Sequence, residues 1–327
     1  MKRMALAILS IAALATTASG DIPSTAWSEA ARFEFEYRVN LNAVRPGRFS
    51  VWVPYPSDND AQKVLDASVK APWPWRLTSE KRFGNRIAYL EGKGPLRGEL
   101  LLRFLVERRP FSGIPRDAIL SDTPLDPARY LGADRLVPLG GRIRELALEQ
   151  GKNLKSPAEK ARAYYDYVVR TMTYNKEGTG WGRGDAVWAC ERHRGNCTDF
   201  HSLFIAMARS AGIPARFVIG FPIPADQKEG SIPGYHCWAE YYDPGRGWQG
   251  VDASEAWKKR LPDAYFNALP NDRIEFAVGR DLILEPPQRD VPLNYFIYPY
   301  AEVDGKPLGD ISVQFHFRKV APEVSTF

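Results

Sequence analysis

Beyond the first twenty residues or so, no apolar run reaches the roughly 18 residues a membrane-spanning helix needs, so no span is expected in the mature chain. A large excess of one charge is also missing: 44 Lys+Arg face 39 Asp+Glu for a formal +5, and two of the cations are Lys2 and Arg3. That balance offers no phosphate-binding stripe, and nucleic acid is not an expected partner. Internal repeats and low-complexity tracts are absent from the 327 residues. Cysteine is sparse. Three residues are too few for a disulfide scaffold, and their odd number leaves at least one thiol free, paired between molecules, or reactive. What the chain has in quantity is apolar and aromatic side chain, 44% and 12%, enough for real hydrophobic cores.

Lys2 and Arg3 precede a 12-residue, largely apolar stretch over residues 4–15, and the small residues Ala18-Ser19-Gly20 follow. Residues 1–20 therefore read as an export signal, which predicts a periplasmic or secreted protein. Phe33, Phe35, Tyr37, Val39 and Leu41 then alternate with Glu34, Glu36, Arg38 and Asn40, the pattern of a strand with one wet face. Residues 49–53, 86–90 and 99–106 are also strand-like, between clusters of Pro, Gly, Asn and Asp. Residues 28–112 are thus expected to form an all-β, sandwich-like domain, and residues 113–138, rich in Pro, Asp and Gly, a linker.

Helical signals follow. Ser156-Pro157-Ala158-Glu159 combines an N-cap, a first-turn proline and an acid three residues after the cap. Phe200, Leu203, Phe204, Met207, Ala208 and Ala211 form a helical stripe that ends before Gly212 and Pro214. Residues 216–221, 235–242, 248–252, 295–303 and 311–317 read as strands.

Asn196 is a good N-cap for the second helix, which puts Cys197 in its first turn. There, unpaired N–H groups and the helix dipole favour a thiolate, and so a nucleophile. Residues 235–242 and 248–254 flank the loop 243–247 and read as a hairpin. With Tyr242 opposite Trp248, His236 and Asp252 become diagonal neighbours on one face, about 7–8 Å apart at the backbone. An imidazole with an orienting carboxylate would be the base that Cys197 needs.

These residues resemble the transglutaminase-like superfamily of thiol enzymes. The resemblance rests on Arg194-Gly195-Asn196-Cys197-Thr198-Asp199-Phe200, on Gly234-Tyr235-His236-Cys237-Trp238-Ala239-Glu240, and on Val251-Asp252-Ala253-Ser254. It implies an α+β, papain-like core in which a helix presents Cys197 against an antiparallel sheet presenting His236 and Asp252, a Cys-His-Asp triad. It also implies an aromatic residue upstream of the Cys as an oxyanion donor, for which Trp188 and Tyr174 are the candidates, groove lining being their other reading.

The expected organisation is a catalytic domain over residues 139–262 and a β-rich C-terminal extension over 263–327. The expected activity is acyl transfer through a Cys197 thioester on peptide or protein substrates of the cell envelope, by hydrolysis or transamidation, without a cofactor. The alternative is a noncatalytic binding module of the same family. Cys190, His193, Cys197 and His201 have spacings that resemble a small zinc site. That reading leaves His236 and Asp252 unexplained and consumes the best-placed nucleophile, so no metal is expected. Alternation along the strand sends Cys237 to the face opposite His236, away from the nucleophile, where a Cys190–Cys237 disulfide would leave one free thiol.

Overall fold

A computed structural model describes residues 30–43, 46–111, 126–309 and 311–321. The expected export signal and the first part of the expected linker lie outside these residues.

The N-terminal region forms six strands: β1 (Ala31–Asn40), β2 (Gly47–Tyr55), β3 (Gln62–Lys70), β4 (Trp75–Ser79), β5 (Arg86–Gly94) and β6 (Glu99–Arg108). The alternation in β1 places Phe33, Phe35, Tyr37 and Val39 in the core. Helices dominate the next stretch: α1 (Gly141–Gln150), α2 (Pro157–Thr171), the short strand β7 (Thr173–Tyr174), α3 (Ala186–Arg192), β8 (Arg194–Gly195) and α4 (Cys197–Ser210). Then come β9 (Ala215–Pro222), β10 (Glu229–Ser231), β11 (His236–Asp243), β12 (Gly247–Val251), α5 (Ala253–Lys259), β13 (Arg273–Val278), β14 (Tyr300–Val303), β15 (Lys306–Pro307) and β16 (Val313–Val320). Among the described residues, no helix is long and apolar enough to cross a membrane.

The α+β architecture expected from sequence is present, but its parts are not collinear. One five-stranded sheet has the order β10-β16-β1-β6-β3 and the other β15-β14-β2-β5-β4. Both need C-terminal strands: β16 runs antiparallel to β1 from Arg32↔Val320 to Val39↔Val313, and β14 pairs with β2. The expected C-terminal extension is therefore no appendage. It splits between all three larger sheets, because β13 joins the four-stranded sheet β12-β11-β9-β13. Buried Phe315 and Phe317 explain why β16 is recruited: its apolar face completes the core that β1 begins.

The expected linker is also structural where it is described. Asp134 forms an ion pair of 2.7 Å with Arg209 at the end of α4, and both side chains are buried. A stretch rich in turn formers does not reveal from sequence that one of its acids has a buried partner.

Helix α4 is the centre of the helix-rich half. Its apolar stripe marks the face on the sheet, but every residue from Cys197 to Arg209 is buried, because α1, α2, α3 and α5 enclose its other sides. The four-stranded sheet packs on the sandwich through aromatic rings, with Phe221 at 5.1 Å from Phe35, 5.1 Å from Phe276 and 4.3 Å from Phe315.

Strand β13 would be an open edge of its sheet, yet its backbone is satisfied by side-chain amides of the sandwich. Gln62 takes the N–H of Glu275 at 2.7 Å and gives to its carbonyl at 2.9 Å. Asn85 does the same to Val278, at 2.7 and 2.8 Å. Gly220 lets β9 and β13 approach this closely, since a Cβ there would overlap the Ile274 carbonyl oxygen.

If β16 is part of the core, Phe317→Ala should cost about 3–5 kcal/mol, a large share of the stability of an ordinary domain. Truncation after Ser312 should abolish the cooperative melt. A truncated chain that melts at the wild-type temperature would show that β16 is dispensable.

Candidate active site

The first turn of α4 is built to hold Cys197. Asn196 accepts the N–H of Thr198 at 2.9 Å, and Asp199 returns a bond to the N–H of Asn196 at 2.9 Å, closing a capping box around the cysteine. Asp199 also takes the N–H groups of Gly182 and Gly184, at 2.7 and 3.0 Å. The glycine-rich segment before α3 is thereby pinned beside the cysteine. Buried Arg280 holds it from the other side through the carbonyls of Gly184 and Arg183, at 2.7 and 3.0 Å. Gly195 has φ +148°, and any Cβ there would strike the Asp199 carboxylate.

The hairpin register expected from sequence holds, with Tyr242 opposite Trp248 and Ala239 opposite Val251. The ladder then ends. Asp252 is not in a strand: it caps α5, accepting the N–H of Glu255 at 3.0 Å. The expected run of strand through residue 254 is thus overturned by a cap whose signal, Asp252-x-x-Glu255, was legible. This turn brings the carboxylate to the imidazole, with His236 Nε2 and Asp252 Oδ2 at 2.7 Å. The bond leaves Nδ1 of His236 for the thiol, and the Cys197 sulfur lies within hydrogen-bonding reach of the ring.

The electrostatics follow from burial and charge. Burial works against a charged imidazole, but the Asp252 carboxylate and the Cys197 sulfur outweigh it and raise His236 to about 10. The neighbouring Cys237 thiol and the His236 imidazole, opposed by burial, hold the Cys197 thiol well below its usual value. Burial also penalises the Asp252 charge, yet His236 and Arg273 hold this carboxyl well below the ordinary range. Arg273 gives Nη1 to Asp252 Oδ2 at 2.9 Å and is itself buried. Sequence reasoning missed it, because nothing local marks a residue of β13 as the partner of Asp252.

The aromatic candidates sit differently. Burial and the neighbouring Cys197 push the Tyr174 phenol up to about 12, and Lys258 stands 4.0 Å above its ring. Trp188 is half-buried on α3 with its indole edge under Gly180, where a Cβ would meet Nε1 at 2.6 Å. It supports the glycine segment.

The expected Cys190–Cys237 disulfide is not formed: all three cysteines are free and buried. Cys190 belongs to α3 and is buried, which pushes its thiol up. Cys237 does point to the face opposite His236. That face packs on α4, however, so alternation sends the sulfur towards Cys197 and Thr198. His193 ends α3 in a left-handed conformation, and His201 is buried against Cys237 and the Ala253 N–H. Among the described residues, no three Cys, His, Asp or Glu side chains are arranged to hold a metal ion.

Residues 144–253, which include Cys197, His236 and Asp252, match the profile of the transglutaminase-like superfamily. The chain carries a transglutaminase-like domain. An uncharacterised protein of Haemophilus influenzae is 26% identical over 351 residues, spanning 94% of this chain and 95% of the relative. The uncharacterised YebA of Bacillus subtilis is 32% identical over 137 residues, 36% of this chain and 19% of that protein. A proposed cysteine protease from Cytophaga hutchinsonii shares the fold, with a TM-score of 0.61 and 17% identity over 90% of this chain and 93% of that one. The fold likeness therefore extends well beyond the transglutaminase-like domain into the sandwich.

Two tests follow. Because Asp199 pins the glycine segment, Asp199→Ala should open a tryptic cut after Arg183 that the wild type resists; an unchanged digest would remove that role. Iodoacetamide should label Cys197 at pH 6 within about threefold of its rate at pH 8, whereas in His236→Ala the rate should drop about tenfold per unit below pH 8.5. A wild-type rate climbing tenfold per unit up to pH 8.5 would mean an ordinary thiol.

Proposed function

We propose that the protein is a cysteine acyl-transfer enzyme acting on amide bonds of peptide-like substrates, with Cys197 as nucleophile, His236 as acid and base, and Asp252 as orienting carboxylate. The observation that carries this reading is the 2.7 Å bond between His236 Nε2 and Asp252, made while the other ring nitrogen remains for the Cys197 sulfur. The fold shared with a proposed cysteine protease supports it.

The thiolate attacks the amide carbonyl and the imidazolium gives its proton to the leaving amine, forming a thioester. Water or a second amine, deprotonated by His236, then releases the acyl group. The N–H of Cys197 has no acceptor within the first turn of α4 and is the natural donor to the developing oxyanion. Tyr174, beside Cys197 and under the Lys258 ammonium, is the aromatic best placed to assist, while Trp188 buttresses the segment above it. Cys197 is only 3% exposed, which favours an extended peptide or a side-chain amide over a folded loop as substrate. Export through the leader over residues 1–20 would place that substrate in the cell envelope.

Incubation with cell-envelope peptides should add acyl mass to Cys197, and Cys197→Ala should lose both adduct and turnover. Failure to trap any adduct at a rapidly alkylating Cys197 would favour the noncatalytic binding module. The pH profile of kcat/KM should stay high through neutrality and fall as pH rises through about 10, where His236 loses its proton. Asp252→Asn should cost on the order of 2 kcal/mol of stability besides activity, because it removes the charge of one of the two carboxylates that face buried Arg273, Asp272 being the other.

A further inference from the structure

Two buried groups beside the site have no part in acyl transfer. Cys237, at the second position of β11, is fully buried with its sulfur 3.7 Å from Thr198 Oγ1 and 3.7 Å from His201 Nδ1. His201 Nε2 accepts the Ala253 N–H at 3.1 Å, which leaves Nδ1 facing the Cys237 sulfur. Thr198 immediately follows Cys197, so its contact with Cys237 sets that sulfur against the first turn of α4, beside the Cys197 thiol. Cys190, the third thiol, is buried on α3.

We propose that Cys197 and Cys237 form a reversible oxidation site for peroxides, with Cys197 as the oxidised thiol and Cys237 as the resolving one. This rests on reading Cys197 as an activated thiolate. In the first step the Cys197 thiolate attacks a peroxide oxygen. The O–O bond breaks, sulfur loses two electrons to become a sulfenic acid, and hydroxide or alkoxide leaves. In the second step Cys237 attacks the sulfenic sulfur: the S–S bond forms, the S–O bond breaks, and the hydroxyl leaves as water with the Cys237 proton. A thiol reductant reverses the pair to two thiols.

The order of events is set by the environment. Cys197 sits at a helix N-terminus against His236, which stabilises its thiolate, whereas burial keeps Cys237 a thiol. The 3% exposure of Cys197 admits a peroxide far more readily than a large oxidant or a second protein. Disulfide formation would remove the nucleophile but protect it from sulfinic acid, which thiols do not reverse.

The test treats the whole protein with hydrogen peroxide and maps its peptides without reduction. The expected result is a mass loss of about 2 Da, a link between the Cys197 and Cys237 peptides, and full recovery of both thiols on reduction. In Cys237→Ser the same treatment should give a dimedone-reactive Cys197 and then a gain of about 32 Da that reductant does not reverse. Wild type that passes straight to that irreversible form, that links Cys190 instead, or that stays unoxidised while Cys197 alkylates rapidly would overturn the proposal. Should the variant fail to fold, the wild-type peptide map decides alone. Slow alkylation of Cys197 at pH 6 would instead sink the acyl-transfer reading, and the map would still decide the link.

Discussion

The buried carboxylate of Asp252 is the point at which the molecule's separate constraints meet. One oxygen takes His236 and Arg273, at 2.7 and 2.9 Å, and the other takes Ser254 and the N–H of Glu255, both at 3.0 Å. A fully buried negative charge is tolerable only with such company. The same atom set therefore orients the imidazole, starts α5 and, together with Asp272, balances the charge of buried Arg273.

Arg273 ties this centre to the sandwich. It begins β13, whose outer edge is held by Gln62 and Asn85 rather than by another strand. The β domain, which carries no catalytic constellation of its own, thus fixes the strand that supplies a partner to Asp252. Gly220 has a matching role in the sheet: by lacking a Cβ it lets β13 close on β9, and its neighbour across the other ladder is His236.

Much of this was legible locally. The alternation of β1, the cap at Ser156, the helix that starts at Cys197 and the Tyr242↔Trp248 register all follow from short-range pattern. What sequence could not supply was long-range. Arg273 reaches Asp252 and Asp134 reaches Arg209 only because the tertiary fold brings them together, and β16 carries no mark that its partner is β1. The misplacement of Cys237 is instructive in a different way. Its face was assigned correctly from strand alternation, but the face that α4 covers was not known, so a correct direction led to a wrong neighbour.

The pairing of β1 with β16 joins nearly the two ends of the described chain. During synthesis the first strand must wait, unpaired on one edge and with its aromatic face incomplete, until the last strand has been made. Neither can the sheet that bears His236 and Arg273 dock finally on the sandwich before then, since Phe315 and Phe221 share the same core with Phe35. The order of assembly thus works as a timer: the Cys197 sulfur and the His236 ring reach their final setting only after residues 313–320 have been made.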